Sequence, residues 1–84
     1  MIFFDPKRNC IYKKIELTKT QSDLLSLLCS GGTTTYEEIL KNTEINSISA
    51  LRMEIHRLRD KTDLNITTRS GIGLVLEDNV FIDY

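Results

Sequence analysis

Hydrophobic residues recur at helical spacing in three stretches of the chain, and this pattern predicts three helices. The first stretch is a leucine cluster at positions 24–28, and the second is a shorter group at 36–40. The third helix is expected to run from a cap at Asn46 or Ser47 to about Thr62. Its apolar stripe follows the i, i+3, i+7, i+10 spacing of one buried face. The stripe consists of Ile48, Leu51, Ile55 and Leu58.

Polar pairs at fixed spacing mark the starts of the first two helices. Thr18 and Gln21 have the spacing of a capping box, in which both side chains bond free backbone N–H groups. Thr35 and Glu38 have the same spacing and are expected to open the second helix. The glycines at 31–32 end the first helix, because glycine tolerates the left-handed backbone found at helix C-termini.

Two strands are expected before the first helix. Ile2 to Phe4 is a short apolar run, and residues 5–9, with Pro6 among them, suit a turn. Residues 10–17 are expected to form the second strand. Their apolar positions do not all follow a period of two, so the register of this strand stays open.

A two-stranded ribbon is expected after the third helix. The runs 66–69 and 74–77 are rich in β-prone residues, and the segment 70–73 between them contains two glycines. Residues 80–84 are expected either to add a last strand or to pack on the first one. The resulting order, β-β-α-α-α-β-β, is an α+β fold in which three helices precede a hairpin. That order is typical of a winged helix-turn-helix.

Charge is distributed unevenly along a chain whose size fits one domain. The 84 residues, 40% of them hydrophobic, are expected to form a single domain over positions 1–84. The formal net charge of −1 does not by itself indicate nucleic acid, so the position of the charges must carry that argument. Basic residues outnumber acidic ones by five to two in residues 1–20 and by five to three in residues 47–73. Residues 21–46 contain one basic and four acidic residues.

The sequence indicates no metal site, cofactor or catalytic centre. Cys10 and Cys29 do not form a Cys-x-x-Cys pair; Cys29 is expected to be a small core residue, and a disulfide between the two is the alternative. No glycine-rich phosphate loop occurs, and no spacing orients a nucleophile, so an enzyme is not expected. No apolar run approaches the ~20 residues of a membrane span, and residues 1–4 are too short for a signal peptide. The expected location is therefore the cytoplasm, with no membrane segment.

The side of the third helix opposite its apolar stripe carries side chains that suit nucleic acid. At 100° per residue, this side and its flanks hold Ser49, Arg52, Met53, His56, Arg57 and Arg59. Arginine, histidine and serine donate hydrogen bonds to phosphates and to guanine O6 and N7. Thr68 and Arg69 are expected to project at the tip of the ribbon beside the same side of the helix. These residues are the candidate DNA-binding set.

An alternative interpretation treats this helix side as simply solvated, which is the commoner role of a charge run. The neighbouring ribbon favours nucleic acid over that alternative. Glu54 and Asp60 count against DNA, because carboxylates repel phosphates, although Glu54 can accept a bond from a cytosine amine. His56 is expected to lack a carboxylate or cysteine partner, so a catalytic or metal-binding role is not expected of it. A base or phosphate contact and a neutral surface position are about equally expected for it.

The segment from Leu17 to Leu76 resembles the OmpR/PhoB-type winged-helix DNA-binding domain. Ile55 to Lys61 is its most specific part and is similar to the family's Ile-x-Arg-Leu-Arg-x-Lys signature. Residues 35–40 resemble the family's short second helix. Residues 66–73 are similar to its wing motif, Ile-x-Thr-Val-Arg-Gly-x-Gly-Tyr. Residues 17–28 resemble its strand-to-helix connection and first helix.

This resemblance implies a sequence-specific DNA-binding transcriptional regulator. Its third helix would lie in the major groove of double-stranded DNA, and its wing on the flanking backbone. The residues that the motifs match to DNA contacts are His56, Arg57, Arg59, Thr68 and Arg69. The implied partners are DNA, a second copy in a homodimer or a tandem head-to-tail assembly, and RNA polymerase or another regulator.

The chain departs from the family pattern in several places. Asp60 stands where the family has a basic residue, and Leu74 stands where it has an aromatic one, after an extra wing residue that displaces Arg69. The loop at 41–46 is shorter than usual and lacks tryptophan, which weakens the case for direct contact with RNA polymerase. No receiver domain precedes this one, so control by phosphorylation is not expected.

Two further interpretations follow from the same residues. The start Phe-x-Asp-Pro at positions 3–6 also looks like that of membrane-tethered ToxR/CadC-type regulators. The chain is then either a piece of such a protein or a stand-alone small regulator. The alternative function is a winged-helix protein–protein interaction module that modulates another regulator. The acidic balance, with Glu54 and Asp60 on the third helix, motivates that alternative.

Overall fold

Three helices and seven short strands form an α+β fold over residues 2–12 and 14–82, the part of the chain that the computed structural model describes. The helices are α1, Lys19–Leu28; α2, Tyr36–Asn42; and α3, Ile48–Lys61. The strands are β1, Ile2–Asp5; β2, Cys10–Ile11; β3, Ile15–Glu16; β4, Thr33–Thr35; β5, Ile66–Arg69; β6, Gly73–Leu76; and β7, Val80–Ile82. The α+β class and the three helices agree with the hydrophobic pattern.

The first sheet, here called the N-terminal sheet, has the strand order β3-β2-β1-β7. The prediction of one strand over residues 10–17 is wrong, because the chain reverses between β2 and β3. Tyr12 has a φ of 55°, in the left-handed region, and Ile11 pairs with Ile15 across the reversal. The apolar positions failed to follow a period of two because the run belongs to two strands.

β7 closes the other edge of the N-terminal sheet. It lies parallel to β1, and Phe81 is in register with Phe3. Of the two alternatives for the end of the chain, the added strand is therefore confirmed for residues 80–82. Residues 83–84 of that prediction lie outside the described part of the chain.

The second sheet, here called the C-terminal sheet, contains the predicted hairpin of β5 and β6 in the strand order β4-β6-β5. β4, between α1 and α2, was not predicted, although three successive threonines are a β-prone signal. A Cβ on Gly73 would overlap the backbone of Thr34 in β4, so only glycine lets these two strands approach.

The helix caps agree with the sequence in most details. Thr18 and Gln21 form a complete capping box at α1, with bonds of 3.1 and 3.0 Å. Thr35 accepts the N–H of Glu38 at 3.2 Å, whereas the Glu38 carboxylate accepts from the Thr35 hydroxyl and not from its backbone N–H. Only half of the second box is therefore present. Ser47, one of the two candidates, caps α3.

The apolar stripes of the helices meet the inner faces of both sheets in one core. Leu51, Ile55 and Leu58 of α3 are buried, and Ile48 is partly buried. Cys29 is also only partly buried, at the end of α1, and burial raises the pKa of its thiol to about 11. Both cysteines are free. Within residues 2–12 and 14–82, no helix is both long and apolar enough to cross a membrane.

Candidate nucleic-acid interface

One side of α3 is buried, and the other is open to solvent. Ser47 caps the helix, its hydroxyl accepting the N–H of Ala50 at 3.1 Å, and the helix runs for 14 residues from Ile48 to Lys61. Because its apolar stripe is in the core, the opposite side is exposed over the whole length. The predicted residues that are exposed on this helix are Ser49, Arg52, Met53, His56, Arg57 and Arg59. The structure therefore leaves every helix residue of the candidate set at the surface.

His56 has a carboxylate neighbour on this exposed side. Its Nε2 lies 3.3 Å from Oδ2 of Asp60, one helical turn further on, and both side chains are more than 70% exposed. The expectation that His56 lacks a carboxylate partner is wrong, and the i, i+4 spacing was the signal for it. The Asp60 carboxylate places a negative charge on this exposed side of the helix, near its C-terminal end.

Arg57 is held by a carboxylate on the flank of the helix. Its Nη1 donates to Oε1 of Glu54 at 2.8 Å. The Arg57 side chain is 57% exposed, whereas the Glu54 side chain is only 16% exposed. Oε2 of Glu54 is buried and has no hydrogen-bond partner among the described residues.

Glu54 and Arg57 line a cleft of about 300 Å³ on this flank of α3. Met53 of α3, Thr20 of α1 and the loop before α3 complete its walls. The cleft thus separates the cationic side of the helix from the start of α1. It contains apolar, acidic and basic side chains side by side.

Arg59 joins α3 to the hairpin. Its Nη2 donates to the backbone carbonyl of Ile66, the first residue of β5. The bond occupies one of the five N–H donors of the guanidinium, so the others remain for a ligand. Arg59 also lines a groove of about 490 Å³ between the end of α3 and β5, together with Asn65 and Thr67. The predicted DNA-contacting residue is therefore also a structural link between helix and hairpin.

Thr68 and Arg69 are both exposed on β5, but they do not share a face of the hairpin. Thr68 pairs with the buried Leu74 and lies two positions after the buried Ile66, so it belongs to the face turned to the core. Arg69, the next residue, belongs to the opposite face. The expectation that the two side chains project together is wrong, because successive residues of a strand alternate between faces.

The tip of the hairpin is anchored on α2 and presents an apolar side chain that sequence reasoning missed. Ile72 donates its N–H to the Arg69 carbonyl at 3.0 Å, and its own carbonyl accepts the N–H of Tyr36 at 3.1 Å. Its side chain is nevertheless 56% exposed. An isoleucine between two glycines in a predicted tip was the available signal.

In the part of the chain that the structure describes, no three His, Cys, Asp or Glu side chains cluster in a way that could hold a metal ion. The described geometry instead offers an exposed cationic helix side next to a short hairpin. Comparison with protein-family models, with curated proteins and with solved structures finds no match for this chain.

Proposed function

We propose that this protein is a sequence-specific DNA-binding transcriptional regulator with a winged helix-turn-helix fold. In this proposal α2 and α3 form the helix-turn-helix, and the β5–β6 hairpin is the wing. The pairing of the hairpin with β4, between α1 and α2, supports it. At about 1.5 Å per residue, α3 is roughly 21 Å long, which suits a recognition helix in the major groove.

The observation that carries the proposal is the exposed side of α3. Arg52, His56 and Arg57 would donate to base edges and phosphates, and Met53 would contact a thymine methyl group. Ser49 lies near the start of the helix, the part that reads base edges in many helix-turn-helix proteins. The remaining contacts of the candidate set would be to the backbone, from Arg59 and from the wing residues Thr68 and Arg69, each on its own face of the hairpin.

A single copy has few cations with which to bind DNA, so tight binding needs more than one copy. A homodimer, or copies in a head-to-tail row, would read repeated half-sites about one helical turn apart. Bound at a promoter, such an assembly would recruit or block RNA polymerase or another regulator.

Selection of bound sequences from a random pool of duplex DNA tests this function directly. The selected site is then titrated by fluorescence anisotropy over a range of salt concentrations. About three to four phosphate contacts per copy give a log–log slope near −3 per copy. Failure to retain any DNA at low salt rejects the proposal.

Two substitutions refine this test. Arg57→Ala should cost about 1–3 kcal/mol on the selected site and relax the sequence preference, if Arg57 reads a base. Lys14→Ala removes an exposed cation from the turn between β2 and β3 of the N-terminal sheet. It should leave the preference for the selected DNA sequence unchanged. Equal losses from the two variants would mean that only total charge matters.

A second candidate function is an interaction module that binds another regulator. The specific observation in its favour is that two of the candidate DNA-contacting side chains of α3 already face carboxylates, Arg57 with Glu54 and His56 with Asp60. Such pairing lowers the net attraction for phosphates. Recovery of a protein partner that Met53→Asp abolishes, with no DNA selected, would favour this function over the first.

A further inference from the structure

We infer that Glu54 is a positioning residue that fixes Arg57 for reading a base and so determines DNA specificity. The inference rests on the proposed DNA-binding function and deepens it. By its charge alone, the carboxylate of Glu54 would repel DNA. Here it helps the protein to distinguish between base sequences.

The burial of Glu54 keeps the pair together. Its side chain is only 16% exposed, and Oε2 is buried without a hydrogen-bond partner among the described residues. The bond of 2.8 Å from Arg57 Nη1 to Oε1 therefore compensates the negative charge of Glu54. Removing one partner of a partly buried pair leaves the other charge uncompensated, which is costly. Arg57 consequently stays on Glu54 when a phosphate approaches.

The position of the pair leaves Arg57 suited to a base edge. Nη1 is engaged by Glu54, so the Nε and Nη2 donors remain as one edge of the planar guanidinium. Two parallel donors on such an edge match the O6 and N7 acceptors of guanine. A phosphate is attracted chiefly by net positive charge, and the carboxylate of Glu54 beside Arg57 opposes that attraction. The pair therefore favours sequence reading over general affinity.

Substitution of Glu54 by glutamine separates these two effects. Glu54→Gln keeps the size of the side chain and an acceptor oxygen but removes the charge. Affinity for random DNA should rise, because one negative charge beside the phosphates is lost. The preference for the selected base over the other three should fall about tenfold, because Arg57 is released to phosphates. A purely structural role of Glu54 would instead lower both affinities alike.

Glu44→Gln is the matched control. Glu44 is exposed and lines the same cleft, and its substitution changes the net charge by the same amount. It should raise affinity for random DNA slightly and leave the base preference unchanged. In an Arg57→Ala background, Glu54→Gln should no longer change the preference, as expected for two residues acting as a unit. Glu54→Asp keeps the charge but shortens the reach, so it should lower the preference without raising affinity for random DNA.

The outcomes distinguish the inference from the function on which it rests. If the unsubstituted protein selects a site and Glu54→Gln retains the full preference, the inference is overturned and the DNA-binding function stands. An equal loss of preference in Glu44→Gln overturns it as well, since charge alone would explain the loss. If the unsubstituted protein selects no DNA, the proposed function fails. If Glu54→Gln does not fold, Glu54→Asp tests the inference in its place. Full retention of the base preference in that variant overturns the inference.

Discussion

Lys61 donates from Nζ to Oε1 of Gln21 at 3.0 Å and thereby joins the last residue of α3 to the first turn of α1. The same oxygen accepts the N–H of Thr18 at 3.0 Å, so one buried side chain closes the capping box and receives the lysine. The contact spans 40 positions in sequence. The bond therefore helps to fix the orientation of α3, and of its exposed cationic side, relative to α1.

Gln21→Ala should lower the free energy of unfolding by about 1–2 kcal/mol, because it removes half of the capping box and the acceptor for Lys61. Urea unfolding followed by circular dichroism measures this change. Asp23→Ala is the comparison, since it removes the pair of Lys19 and Asp23, 2.8 Å apart on the surface of the same helix. A surface pair of this kind contributes about 0.5 kcal/mol or less. Equal losses in the two variants would contradict the role of Gln21.

Arg59→Ala should both destabilise the protein and loosen the hairpin. Loss of the bond to the Ile66 carbonyl costs about 1 kcal/mol, and the amides of β5 should exchange with solvent faster. Arg52→Ala, on the exposed side of the same helix, should change stability by less than about 0.5 kcal/mol. Its effect should be confined to DNA affinity. Hydrogen exchange that is unchanged in Arg59→Ala would show that the hairpin does not depend on this arginine.

The elements that depend on local chemistry could be predicted from the sequence. α3 follows from the apolar period, and the preference of asparagine and serine for helix caps narrowed its start to Asn46 or Ser47, of which Ser47 is the cap. The hairpin follows from two β-prone runs around glycines, although β6 begins one residue earlier than expected, at Gly73. In these segments, the residues close in sequence carry most of the signal for the backbone conformation.

The contacts between distant segments could not be predicted in this way. The bonds from Lys61 to Gln21 and from Arg59 to Ile66 depend on how helices and strands pack, which no local pattern contains. The pair of His56 and Asp60 is different, because its i, i+4 spacing was visible in the sequence. The face of the hairpin on which Arg69 lies depends on the strand register. That register is fixed only by the pairing of β5 with β6.

Asp60→Asn should strengthen DNA binding if α3 enters the groove. Asp60 is 71% exposed in the last turn of α3, on the cationic side of the helix, and its carboxylate would lie close to phosphates. Removing it should raise affinity about three- to tenfold at low salt, and the gain should shrink as salt is added. Anisotropy titrations at several salt concentrations measure both effects. Glu16→Gln, exposed on the N-terminal sheet, has the same charge change and should give a smaller gain.

Asp5, at the end of β1, makes the stability of the protein depend on pH. Its carboxylate accepts a bond from the Arg8 guanidinium at 2.7 Å and the N–H groups of Lys7 and Arg8 at 3.0 and 3.1 Å. The Arg8 bond is the main reason that the pKa of Asp5 lies below its ordinary value of 3.8 in the folded protein. A carboxyl group with a lowered folded-state pKa stabilises the protein above its unfolded pKa and loses that contribution as the pH falls through the folded value.

The stability of Asp5→Asn should therefore be lower than that of the unsubstituted protein at neutral pH, and the two should converge as the pH falls below about 4. Urea midpoints measured between pH 2 and pH 7 give both curves. Arg8→Gln should also reduce the difference between neutral and acidic pH, because it removes the cation that lowers the Asp5 pKa. Curves that coincide over the whole range would mean that Asp5 acts through its turn hydrogen bonds, which asparagine can also accept, and not through its charge.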